Sequence, residues 1–112
     1  MPGPSDIPRG NIQLAMVLGL TISPAQVAAA TTVEQTFTLT GVQLGDVISV
    51  TKPTTQAGLG IANSRVSAAN TIGITFVNST AATPITPTAG ETYIVELNRP
   101  SNPQNPLPTA VT

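Results

Sequence analysis

Cysteine, histidine and tryptophan are absent from this chain, and each absence removes a class of chemistry. Without cysteine no disulfide can staple the fold, and the redox compartment stays open. Without cysteine and histidine the usual ligands of structural zinc are missing, as is the side chain that most often moves protons near neutral pH. Charge is scarce too. Only 8% of residues are charged, whereas the surface of a small soluble domain carries about 25 to 35% Lys, Arg, Glu and Asp. Asp6, Arg9, Glu34, Asp46, Lys52, Arg65, Glu91, Glu96 and Arg99 are scattered, and the net charge is −1. No basic stripe is present to displace counterions from a phosphate backbone, so nucleic acid is not an expected partner. No apolar run approaches the roughly 20 residues that a helix needs to cross a bilayer, and no membrane partner is expected.

A chain of 112 residues reads as one domain. Folding at this size hides roughly 65% of the surface that the unfolded chain exposes, enough for a single two-layer core. Aromatic residues make up 3%, so the core is aliphatic, with Phe37, Phe76 and Tyr93 as its few large pieces. Burying an aliphatic side chain is worth about 1.5 to 3 kcal/mol, against about 1 to 2 kcal/mol of backbone entropy per residue fixed. The domain is expected to be marginal alone and to gain from an oligomeric partner.

The clearest local signal is alternation. In VEQTFTLT, Val33, Gln35, Phe37 and Leu39 share one face, with Glu34, Thr36, Thr38 and Thr40 on the other, as in a half-buried strand. GVQLGD is a tight connection in which Gly41 and Gly45 supply positive φ. DVISVT is a short apolar strand that Pro53 confines to an edge or an end. A Gly-containing loop is expected from Lys52 to Gly60. RVSAANTIGITFVN reads as a hairpin turning at Ala68 to Asn70, Asn tolerating the left-handed region. Its second arm puts Ile72, Ile74 and Phe76 on one face. A loop marked by Pro84, Pro87 and Gly90 leads to TYIVELN, a last strand with Tyr93, Val95 and Leu97 inward and Ile94 outward.

The flanks are less regular. Leu14 to Leu20 suggests a strand, a short helix fitting the periodicity as well. The alternative is a signal peptide, with Arg9 as its basic region, Leu14 to Ile22 as its apolar run and Ala28 to Ala30 as its cleavage zone; Gly19, Thr21 and Ser23 interrupt that run. AQVAAATT is read as a strand, although its alanines also permit a helix. Pro2, Pro4 and Pro8 make residues 1–10 an extended arm. Pro100, Pro103, Pro106 and Pro108 make residues 98–112 an extended tail near polyproline II. Residues 11–97 form the body. Six or seven short strands with a turn about every ten residues predict an all-β protein: a small antiparallel β-sandwich of immunoglobulin-like or jelly-roll topology.

A search for chemistry finds little. The carboxylates are few and spread along the chain, and Glu91 and Glu96 fall on opposite faces of one strand. No catalytic, metal-binding or cofactor-binding residues are assigned, and an enzyme is not expected. The Gly58–Gly60 pair lacks the Lys and helix of a phosphate loop, and Asp46 reads as turn chemistry rather than a calcium ligand. Arg65 is either a solvated strand charge or a bidentate contact to a carboxylate on a partner. Arg99 is a solvated charge or the anchor of the tail. The candidate interface residues are Arg9, Arg65, Arg99, Pro100, Pro103, Pro106 and Pro108.

The segments TTVEQTFTLTG, LGDVISVTKP, AGLGIANSRVSAANTIGITFVN and ITPTAGETYIVEL span Thr31 to Leu97, about two thirds of the chain. Together they resemble a β-rich module of small virion structural proteins of tailed bacteriophages. That resemblance implies a decoration or cement protein that binds the outer head shell and bridges neighbouring subunits; a module of a head or tail fibre is the alternative. It further implies the major capsid protein as partner, a place on the capsid exterior and synthesis in the host cytoplasm. Lattice symmetry favours a homo-oligomer, a trimer ahead of a dimer.

Overall fold

The alternating stretches become strands, and the strands sort into two sheets. The computed structural model describes residues 10–101 and 107–110. Their order is β1 (Ile12–Ile22), β2 (Thr31–Thr38), β3 (Val47–Thr51), β4 (Leu59–Ala68), β5 (Thr71–Asn78) and β6 (Glu91–Pro100), with no helix among the described residues. One three-stranded sheet has the order β1-β6-β3 and the other β2-β5-β4, and all pairings are antiparallel. Only the β4–β5 connection stays within a sheet; the others carry the chain from one sheet to the other.

The inward rows fall where alternation puts them. Tyr93, Val95 and Leu97 on β6 and Ile72, Ile74 and Phe76 on β5 are buried, and with Ile48 and Val66 they form one core between the sheets. The first six come from the middle strand of their sheet, which is covered on both flanks, and Ile48 and Val66 come from the edge strands β3 and β4. The Phe76 and Tyr93 rings meet edge to face, with centroids 6.5 Å apart and planes at 81°, the arrangement the ring quadrupoles favour. The Tyr93 hydroxyl has no hydrogen-bond partner among the described residues. Burial first, then the nearby Glu91 charge, push its pKa up to about 12.

Polar clasps close the two ends. At one end Asn70, with φ of 59° at the β4–β5 turn, accepts Leu39 N–H at 3.0 Å and donates its own N–H to the Val42 carbonyl at 2.9 Å. Its side-chain oxygen accepts Gly41 N–H at 2.7 Å, which ties the hairpin tip to the β2–β3 connection. At the other end buried Asn78 donates to the Val27 and Thr83 carbonyls at 3.0 and 2.9 Å. Its oxygen accepts from Thr80 N–H and the Thr80 hydroxyl. A buried amide with all these bonds made holds three segments at small desolvation cost.

Three expectations are corrected. Ala25–Thr32 is not a strand: Val27 makes a single bridge to Ile85, Ala29 and Ala30 form a turn, and pairing starts at Thr31. The Gln35 amide both accepts from Ala25 N–H and donates to the Ala25 carbonyl, at 2.7 and 2.9 Å, so that residue's backbone groups are satisfied without a neighbouring strand. The loop after Lys52 is shorter than expected, since β4 already begins at Leu59. The tail also starts later than residue 98. β6 runs to Pro100, which pairs with Ile12, a strand end where a missing N–H is tolerated. The run read alternatively as a signal peptide is β1, paired from Leu14 to Ile22 with β6.

Candidate interaction surface

Only four cations are present in the chain, and three of them are committed to carboxylates of the chain itself. Arg65 donates through Nε and Nη2 to Glu34 at 2.7 and 2.8 Å. The contact is bidentate, but its carboxylate belongs to the chain itself and not to a partner. The reason is Gly73 on β5, between the two strands: the Glu34 carboxylate lies where a Cβ of residue 73 would stand. Only glycine leaves room for two long side chains to meet over the middle strand. The Arg65 hydrogen bond holds the Glu34 pKa below its ordinary value.

Arg99 is likewise turned inward. It donates to Asp46 at 2.8 and 2.9 Å and to the Gly41 carbonyl at 3.0 Å. It anchors the β2–β3 connection. The Asp46 side chain is fully buried and also accepts Gln43 N–H at 2.9 Å, the turn chemistry expected of it. The Arg99 bond is the largest of the influences that lower its pKa. Glu91 is lowered first by a hydrogen bond from Thr54 and then by one from Lys52. Carboxylates held ionised in this way are poor proton acceptors. Among the described residues no three metal-ligating side chains gather at one point.

Of the remaining candidates, Arg9, Pro103 and Pro106 lie outside the described residues. Pro100 and Pro108 are brought together. With Ile12, Val47 and Leu107 they line an open groove of about 700 Å³ at one end of the first sheet. Among the described residues no titratable side chain lines it.

The difference between the two outer faces carries more information than any single residue. On the β2-β5-β4 sheet the outward rows of β2 and β5 hold Thr32, Thr36, Thr38, Thr71 and Thr75, with the Glu34–Arg65 pair across Gly73. That is an ordinary solvated β surface. On the β1-β6-β3 sheet the outward rows include Val17, Ile94 and Val47, which are 67%, 42% and 55% exposed. Glu96, paired with Val17 and Ser49, is the single charge there and forms no ion pair among the described residues. Leu107 of the tail, also exposed, extends this apolar surface beside Val47. Sequence reasoning missed the patch because outward apolar residues on three strands come onto one face only through the strand order.

Comparison with protein-family models, curated proteins and solved structures found no match.

Proposed function

We propose that this chain is a decoration or cement protein of a phage head, binding neighbouring copies of the major capsid protein on the outside of the shell. The observation that supports the reading best is the outer face of β1-β6-β3, with its exposed apolar residues and single charge. A partner that covers Val17, Ile94 and Val47 strips water from one charged group, Glu96 beside Val17, so the step that makes burial of a polar surface expensive is confined to that side chain. Exposed apolar surface of this kind marks an interaction site. In this reading the two sheets are a β-sandwich of immunoglobulin-like or jelly-roll type, and the Pro-rich ends are arms that reach adjacent shell subunits. Several weak contacts on one lattice add through effective concentration, so firm retention needs no single strong site. The resemblance of Thr31–Leu97 to small virion proteins supplies the class of particle. The protein is made in the host cytoplasm and resides on the virion exterior as a homo-oligomer.

The test is cosedimentation of purified protein with assembled phage heads. Wild type is expected to pellet at a fixed copy ratio. Val47→Lys combined with Ile94→Lys places two ammonium groups in the contact, and retention falls at least about tenfold, or about 1.4 kcal/mol. Wild type remaining in the supernatant, or undiminished retention of the double variant, overturns the reading. Binding to host cells in place of heads favours the fibre alternative.

A further inference from the structure

We propose that two copies of this chain join edge to edge through β1, antiparallel about a two-fold axis at Val17, to make one continuous six-stranded sheet. Two sheets of three strands have four edges: β1, β3, β2 and β4. Natural edges are blunted by shortness, charge, proline or bulges, because unpaired N–H and C=O groups invite another strand. β3 has five residues and runs out into Lys52 and Pro53. β4 carries Arg65 and two breaks in register, at Ile61/Asn63 and Val66/Ala68. β2 carries Glu34 and a row of threonines. β1 has none of this protection along most of its length. It has eleven residues with no charge and no proline, and its one irregularity lies at its beginning, between Ile12 and Leu14. Among the described residues no strand pairs with its free side.

The occupant is identified by what the edge requires: an extended, uncharged segment with unbroken backbone donors. Neither end of the chain qualifies, since Pro2, Pro4 and Pro8 and then Pro103, Pro106 and Pro108 interrupt the N–H series. β1 itself does. Its sequence, IQLAMVLGLTI, is a chemical palindrome about Val17. Set antiparallel, Ile12 meets Ile22 of the second copy, Gln13 meets Thr21, Leu14 meets Leu20, Ala15 meets Gly19, Met16 meets Leu18, and Val17 meets itself. Apolar, small and polar residues each find their own kind. A self-complementary patch of this sort is what a two-fold interface demands.

The side-chain rows agree. Leu14 and Met16 lie on the same face as inward Leu97, yet they are 36% and 42% exposed and do not join the core. Pairing places the second copy's Leu20 and Leu18 beside them. Charge does not oppose the union. The two Glu96 residues stand three strands apart, about 14 Å at about 4.8 Å per strand, beyond the screening length of about 8 Å at physiological salt. The union is two-fold, whereas the trimer expected from lattice symmetry has no such self-matching edge behind it. It also sets two apolar outer faces side by side, which doubles the proposed docking surface without depending on it.

Sedimentation equilibrium of the free protein, with no particles present, tests this. At about 100 μM, well above a micromolar Kd, wild type is expected to show twice the 11.4 kDa chain mass. Val17→Lys is expected to show 11.4 kDa, because two lysines then face each other at the axis. Its folding is protected, since the lysine pairs across the sheet with Glu96. The chain has no cysteine, so Val17→Cys introduces a single thiol that meets its own copy and links on oxidation. Ala15→Cys, which meets Gly19 in this register, stays reduced. A wild-type mass of one or three chains, a dimeric V17K, or A15C linking as fast as V17C overturns the proposal.

Discussion

Replacing Phe76 with alanine is expected to lower the stability of this protein by about 3 to 5 kcal/mol, the range for removing a fully buried large aromatic side chain. Phe76 is on β5, the middle strand of its sheet, between Val33 of β2 and Ile61 of β4. It is completely buried and meets Tyr93 of the opposite sheet edge to face. The chain has only three aromatic residues, and Tyr93, the ring beside Phe76, is itself fully buried in the core. Small domains are stable by about 5 to 15 kcal/mol in total, and the variant should lose about a fifth of that or more. Phe76→Leu keeps much of the volume and should cost less, about 1.5 kcal/mol or under. Urea denaturation of the three proteins measures both differences. An F76A cost below about 1 kcal/mol would mean that the two sheets are not packed through this ring.

Arg99→Ala should cost about 2 to 3 kcal/mol. Breaking a buried ion pair by removing one partner costs about 3 to 5 kcal/mol; the lower figure allows for the Arg99 side chain being 16% exposed and partly screened by water. The Asp46 carboxylate would stay buried with a single donor, Gln43 N–H, and the Gly41 carbonyl would lose its partner. Arg99→Lys should not restore the loss, since an ammonium cannot donate along both edges of the carboxylate and to Gly41 together.

The same pair sets a pH dependence. Asp46, Glu34 and Glu91 all have pKa values lowered by folding. The folded protein therefore binds these protons less readily than the unfolded chain does. Their stabilisation is complete above the ordinary carboxylate values of about 4 and is lost as pH falls through the lowered ones. Melting temperature should be level from about pH 8 to about pH 5 and drop below about pH 4. The gap between wild type and R99A should narrow over that drop, because protonated Asp46 no longer needs its cation. A gap that stays constant to low pH would show that Arg99 acts through packing alone.

Much of the fold was legible because period-two alternation is a local signal. Thr31–Thr38, Thr71–Asn78 and Glu91–Pro100 each show one apolar row, and the inward residues named from sequence at Ile72, Ile74, Phe76, Tyr93, Val95 and Leu97 are those of the core. Asn70 marked its turn because few other residues accept positive φ. What could not be read depends on strand order. Arg65 and Glu34 are 31 residues apart and Arg99 and Asp46 are 53 apart, and only the register shows that each cation already has its carboxylate. β1 looks from its composition like a buried strand. Its place at the edge leaves Leu14, Met16 and Val17 exposed, and composition carries no sign of an edge. Ala25–Ala30 misled for a further reason: the backbone groups of Ala25 are satisfied by Gln35, a side chain outside the segment, and those of Val27 by Ile85.

Hydroxyl-radical footprinting of the free and the head-bound protein tests most directly whether the β1-β6-β3 face is the working surface. Val47 and Ile94 should label readily in the free protein and lose most of that labelling on the head. Val77, on the outer row of the threonine-rich sheet, should label equally in both. Protection of Val77 with Val47 and Ile94 unchanged would contradict the account.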